Sequence, residues 1–180
     1  MPPTAEPIAQ PYIAPAGLKP LRRTAFLFPA TAGDGHERWP FTIDVDENWY
    51  FETDGPNMLG SNCDEHPDTP RDVRAEDIDV AEAIEKINSM TTLDIRHVLK
   101  QWSGLRTFAS DRLPVIGPDP AEPTFSWYAA LGGYGIMTSP ALGRVVAEAA
   151  LGLSPSPTTS AVLDAASVAR LRPSAPPGTL

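Results

Sequence analysis

Two features of this 180-residue sequence could do chemistry. The first is Arg106, in the apolar, glycine-flanked setting Gly104-Leu105-Arg106. A guanidinium offers paired donors that match a carboxylate in a planar, two-bond geometry. Each hydrogen bond to a charged partner contributes about 1.5–3 kcal/mol. The second is the cluster Leu131-Gly132-Gly133-Tyr134-Gly135, which opens into an apolar, Ala-rich run. A strand, then glycines, then a helix start brings backbone N–H groups against an anionic or carbonyl-rich ligand. Each feature has a plainer explanation. Arg106 could pair with one of the 23 acidic residues, and from pattern alone that is the better bet. The glycines could serve only a tight turn that needs positive φ, and the pattern divides evenly between turn and ligand site.

The elements that must position these features follow from periodicity. Residues 21–28 are rich in apolar and aromatic side chains and end at Pro29, as a strand would; residues 31–38 carry the Gly and Asp of a loop. Residues 41–45 and 49–53 form two short strand candidates joined at hairpin spacing, and residues 58–60 a third after a turn at 54–57. Over 75–90, Ile78, Val80, Ala81, Ile84 and Ile87 recur at helical spacing, with Glu76 and Asp77 in the first turn. This helix covers one face of the meander. Residues 93–108 hold a strand that ends at Arg106, and 114–117 and 125–130 are short buried strands. A helix is expected over 139–151, with Pro140 in its first turn and Gly152 as its cap, and a short one over 160–169.

Composition narrows the partners. A formal charge of −9 argues against a nucleic-acid backbone or an anionic membrane as the main partner. The single cysteine, Cys63, fits a reducing compartment, and no apolar run reaches transmembrane length. A cytoplasmic protein without a secretory signal is the expectation. The chain holds 21 prolines, many of them near its ends, so residues 1–18 and 153–180 read as tails.

Tyr50 lies in a strand and could offer its hydroxyl to an anion, or serve as half-buried packing. Arg22 and Arg23 are adjacent in a strand and point to opposite faces; the inward one needs an anionic partner. His36, His66 and His97 have no metal-ligand spacing with Cys63 or one another, so no metal is expected. The spacings G-x-G-x-x-G and G-x-S-x-G and the phosphate-binding loop are absent from the sequence.

The segments LKPLRRTAF, WPFTIDVDENWYFETDGPNMLGS, DIDVAEAIEKI, TTLDIRHVLKQWSGLRTFASDRLPVIG and FSWYAALGGYGIMTSPALGRVVAE run in order from about residue 17 to residue 152. Together they resemble the C-terminal half of the FAD-dependent D-amino-acid dehydrogenase and glycine oxidase family, most of all its D-arginine-dehydrogenase-like branch. The resemblance implies an α+β fold: an antiparallel substrate-domain sheet with a covering helix over 19–100, then over 101–152 the C-terminal strands and helix of an incomplete FAD-binding domain. It implies that Arg106 binds the carboxylate of an amino-acid substrate, with Arg23 as second cationic contact and Tyr50 as hydrogen-bond donor. Phe41 and Ile43 would line the side-chain pocket. Gly132, Gly133, Tyr134, Gly135, Ile136 and Met137 would lie along the FAD, with the Gly133 carbonyl near the substrate amine. The chemistry implied is oxidation of a Cα–N bond by hydride transfer to flavin, with no side chain of this chain as acid or base. Two positions depart from the family pattern: Leu131 and Met137 stand where it usually has glutamine. The family's glycine-rich phosphate fingerprint is expected on another chain or segment. The alternative is a non-catalytic remnant, or a carboxylate-binding module without flavin.

Overall fold

The computed structural model describes residues 16–30 and 35–172. Most of the expected N-terminal tail, and residues 31–34 of the first loop, lie outside the described residues. The chain divides into two compact units, one of Leu21–Leu105 and one that joins the segment before Leu21 to the chain from Arg106 onward.

The first unit is an antiparallel sheet with one helix. Its longest strand, β1 (Lys19–Pro29), alternates buried and half-buried residues, with Arg22, Thr24, Phe26 and Phe28 on the buried side. The three expected short strands are β2 (Thr42–Ile43), β3 (Tyr50–Asp54) and β4 (Asn57–Ser61), paired in sequence as an antiparallel meander. β1 lies against β4 over Ala25–Pro29 and against β5 (His66–Pro67) at Leu21 and Arg22. It also pairs with β6 (Lys100–Phe108).

The helix expected over 75–90 is α1 (Asp77–Met90). Val80, Ala83 and Ile87 of α1 pack with Phe26, Phe28, Trp49, Phe51, Met58 and Ile95 to form the core of this unit. Ile78, expected to face the core, is exposed, and Asp79 is buried in its place. The cause is Arg22. Its Nη2 donates to Asp79 Oδ2 at 2.9 Å, and its Nη1 to Glu76. Arg22 is thus the inward arginine, and its anionic partners come from the start of α1. Thr24 adds its backbone N–H (2.7 Å) and hydroxyl (3.0 Å) to the buried carboxylate of Asp64.

The second unit is built on the hairpin β7 (Val115–Pro118) and β8 (Ser126–Ala129). The period of two sends Val115, Trp127 and Ala129 into one cluster with Ala16, Leu18 and Val168, and Ile116 into another with Val145 and Ala166. Ala16 and Leu18, the last residues of the expected tail, are therefore core residues. The segment from residue 153, also expected as a tail, carries α3 (Pro157–Ala166) and a 3-10 turn at Val168–Leu171.

The helix α2 (Gly135–Ala150) starts four residues before the expected position, so Pro140 sits inside it rather than in its first turn. The proline lacks the N–H that would reach the Ile136 carbonyl. Ser139 Oγ donates to that carbonyl instead, at 2.9 Å. The end of α2 does match expectation. Gly152 has φ +64 and donates to Ala149 O, while Leu153 N donates to Glu148 O, which satisfies two terminal carbonyls. Among the described residues no helix is long and apolar enough to cross a membrane.

Candidate functional site

The sequence-derived site residues fall into both units. In the first unit they share one side of the sheet. Ala25, Ser61, Tyr50 and Ile43 are partners in register across β1, β4, β3 and β2. They therefore point the same way, away from α1. Arg23 is two residues from Ala25 and joins them. Phe41 lays its ring 5.1 Å from that of Tyr50. Phe41 and Ile43 are both exposed, at 52% and 42%. Four of the expected substrate contacts thus line one open face, opposite the packed core.

Arg23 on this face is already engaged. Its Nη2 donates to Glu65 Oε1 at 2.8 Å and its Nε to the Asp64 carbonyl at 2.9 Å. It can serve as a second cationic contact for a ligand only by sharing or releasing Glu65. Glu52, two residues along β3 from Tyr50, is also on this face and was not singled out from the sequence. The period of two from Tyr50 was the signal available for it.

In the second unit Arg106 and the glycine turn meet. Arg106 Nη1 donates to the Gly132 carbonyl at 3.4 Å, and Gly132 N donates to Thr107 O at 3.1 Å. A Cβ built on Gly133 would lie 3.4 Å from Arg106 Nη1. Gly132 has φ +53, and a Cβ there would lie 2.7 Å from the Phe108 ring. The turn explanation for this glycine therefore holds whether or not a ligand binds. Six other arginines have a carboxylate partner. Arg22, Arg23, Arg71, Arg96, Arg170 and Arg172 all pair with carboxylates. Among the described residues Arg106 is half-buried without any such pair. The structural ion pair favoured by pattern alone is not formed.

The turn feeds directly into α2. Tyr134 N donates to Leu131 O and Thr138 N to Tyr134 O. The amides of a first helical turn have no acceptor within the helix and sit at the positive end of its dipole. Beside them Ile136 and Met137 stand out at 93% and 71% exposure. Leu131 points elsewhere and packs in the cluster around Ile116. Among the described residues one grouping appears that the spacing did not suggest: ligand atoms of Asp64, His66 and Asp79 lie within 4.8 Å of one another. Asp79 there is held by the Arg22 guanidinium, so the group reads as part of an ion network.

An antiparallel sheet covered by one helix, followed by a strand, a glycine turn and an open helix start, defines the class. The model of the FAD dependent oxidoreductase (DAO) family matches residues 5–149, and the chain belongs to that family. Similar solved structures include iminodiacetate oxidase from Chelativorans sp. BNC1, with a TM-score of 0.69 and 17% identity over 83% of this chain and 39% of that one. Glycine oxidase from Geobacillus kaustophilus gives 0.64 and 17% over 84% and 39%. L-proline dehydrogenase from P. horikoshii gives 0.67 and 18% over 89% and 42%. The chain spans less than half the length of each of these.

Membership brings FAD as the family's cofactor. The residues present suit part of it. The first-turn amides of α2 can face an electron-rich edge, and Ile136 and Met137 offer apolar surface to a flat ring system. Neither Leu131 nor Met137 adds a side-chain hydrogen bond.

Proposed function

We propose that this chain supplies the substrate-binding half of an FAD-dependent oxidoreductase that oxidises the Cα–N bond of an amino acid, of the D-amino-acid or glycine-like kind. The observation that carries the proposal is Arg106: a half-buried guanidinium with no carboxylate among the described residues. An arginine desolvated without a partner costs stability, and a substrate carboxylate would supply that partner in the two-bond geometry.

Bound FAD supplies the hydride acceptor. The chain's own part is to hold and orient. In the second unit Arg106 takes the substrate carboxylate and the Gly133 carbonyl accepts from the amine. In the first unit Tyr50 offers a hydroxyl donor, and Phe41 and Ile43 an apolar wall, to a substrate. Residues 132–137 line the flavin side. Carboxylate and amine are pinned so that the C–H bond faces the acceptor, which removes much of the entropic part of the barrier. No acid or base on this chain is needed for that. The rest of the fold, with its own share of the flavin site, comes from a partner chain or from another segment of the same protein.

The test is Arg106→Ala in a flavin-loaded assembly that contains this chain. Loss of a charged hydrogen-bond pair should raise KM for an amino acid about tenfold or more. Arg106→Lys should recover little, because lysine lacks the planar fork. An unchanged KM in Arg106→Ala would end the assignment.

A further inference from the structure

Arg112, in the second unit, has a backbone that its residue type does not explain. Its φ is +67, in the left-handed region that a Cβ disfavours and glycine takes freely. The turn around it is held from outside. Arg112 N donates to Ala109 O at 3.0 Å. On either side of it, Arg170 grips Asp111 through Nε (2.6 Å) and Nη2 (3.1 Å), and the Leu113 carbonyl through Nη2 (2.8 Å). Glycine would fit this turn without strain. What the arginine adds is an exposed guanidinium whose Cζ stands 4.5 Å from the centre of the Phe108 ring. Such a contact at an exposed site gives no more than the left-handed backbone costs. Stability therefore leaves the choice of arginine unexplained. Strain of this kind persists where the surroundings impose it, and it clusters at functional sites.

The ring that Arg112 covers leads to the carboxylate site. Arg106 and Phe108 are two apart on β6 and project to the same side of the strand. Phe108 is buried, and a Cβ on Gly132 would lie 2.7 Å from its ring, so ring and glycine turn are in contact. The Gly132 carbonyl is in turn the acceptor for Arg106 Nη1. We infer that Arg112 is a positioning residue: its guanidinium clamps the Phe108 ring against Gly132, and so holds the Gly132 carbonyl and the Arg106 fork where a ligand carboxylate meets them. This deepens the proposed function and rests on its assignment of Arg106. Arg106, Phe108, Arg112 and Gly132 all belong to one unit. Without the guanidinium one side of the ring is left to water, and the ring gains other orientations. The fork is then correctly placed for a smaller share of the time, and the apparent affinity falls by that share.

The experiment needs no flavin. The full chain is titrated calorimetrically at neutral pH with propionate, a plain carboxylate. Arg112→Gly and Arg112→Asn both suit the left-handed backbone and lack the cation. Each should melt in urea at or above the native midpoint, yet bind propionate about threefold to tenfold more weakly. In a Phe108→Leu background, checked for its fold by circular dichroism, the same replacements should cause no further loss, because the ring through which Arg112 acts is gone. Native affinity in Arg112→Gly and Arg112→Asn overturns the inference and leaves the carboxylate site standing, provided Arg106→Ala weakens binding. A loss that persists undiminished in the Phe108→Leu background also overturns it, since Arg112 would then act by its charge alone. A urea midpoint well below the native one in both variants would make Arg112 a structural residue and overturn it too. If the native chain shows no propionate binding that Arg106→Ala weakens, the carboxylate site fails and this inference with it.

Discussion

Arg172 and Arg106 belong to the same unit and have opposite surroundings. Arg172 forks onto Asp119, with Nη1 to Oδ1 at 3.0 Å and Nη2 to Oδ2 at 2.6 Å. Asp119 is fully buried and takes two further donors, Trp127 Nε1 and the Ala121 amide, each at 2.9 Å. Nearby, Arg170 makes the same kind of fork onto Asp111. Among the described residues Arg106 has only a long contact to a carbonyl. The difference separates two uses of one side chain. An arginine whose fork is filled from within holds the fold together. One whose fork is left open is available to a ligand.

The comparison is broken most severely at Asp119. Asp119→Ala removes the carboxylate that the Arg172 guanidinium and the Trp127 indole share. Removing one member of a buried pair costs about 3–5 kcal/mol, and a urea melt should show a loss of that size. A loss under about 1 kcal/mol would mean that the network is ornamental to stability. Acid should act on the same point. The Arg172 fork, helped by the Trp127 and Ala121 donors, holds the Asp119 carboxyl far below the usual carboxylate range. A depressed folded value means that the stabilisation is complete above the unfolded value of about 4 and is lost as pH falls below it. Melts at pH 7 and pH 3 should differ in that direction, and the difference should shrink in Asp119→Ala.

How much of this was legible in the sequence depends on whether the cause was local. The strands of the meander and α1 were visible because alternation and helical spacing are written within a few residues. Asp79 was not visible as a buried residue. Its burial is compensated by Arg22, which lies 57 positions away. The same holds for the chain end. The prolines near residues 155 and 157 read as a tail, yet Pro157 opens α3, and Arg172 reaches Asp119 across 53 positions. The early start of α2 was hidden by Pro140, because the local remedy at Ser139 is read only once the carbonyl of Ile136 is seen. At the site, Arg106 and the glycine turn were legible from type and setting. That they touch, and that Arg106 has no carboxylate partner among the described residues, were not.

A middle-sized effect is expected at the turn itself. Gly132→Ala forces a side chain onto a residue with φ +53 and places its Cβ about where the Phe108 ring now lies, 2.7 Å from the nearest atom. The left-handed backbone and the displaced ring together should cost about 1–3 kcal/mol. Because the same turn carries the Gly132 carbonyl that Arg106 touches, the variant should also weaken acid binding. A variant that melts normally yet binds poorly would show that the glycine serves the ligand alone.

The smallest effect sharpens the comparison from the other side. Arg106→Ala removes a guanidinium whose one polar contact among the described residues is long, 3.4 Å to Gly132 O. Little native bonding is lost, and the cost of holding an unpaired charge half out of water is relieved. Part of the arginine stem packs, and its loss works against that gain. The two should nearly cancel, so the urea midpoint should move by no more than about 0.5 kcal/mol in equivalent stability. Run beside Asp119→Ala, this variant tells structure from function without any turnover measurement. Arg106→Ala that melted as early as Asp119→Ala would make Arg106 a structural arginine after all, and the open fork would lose its meaning.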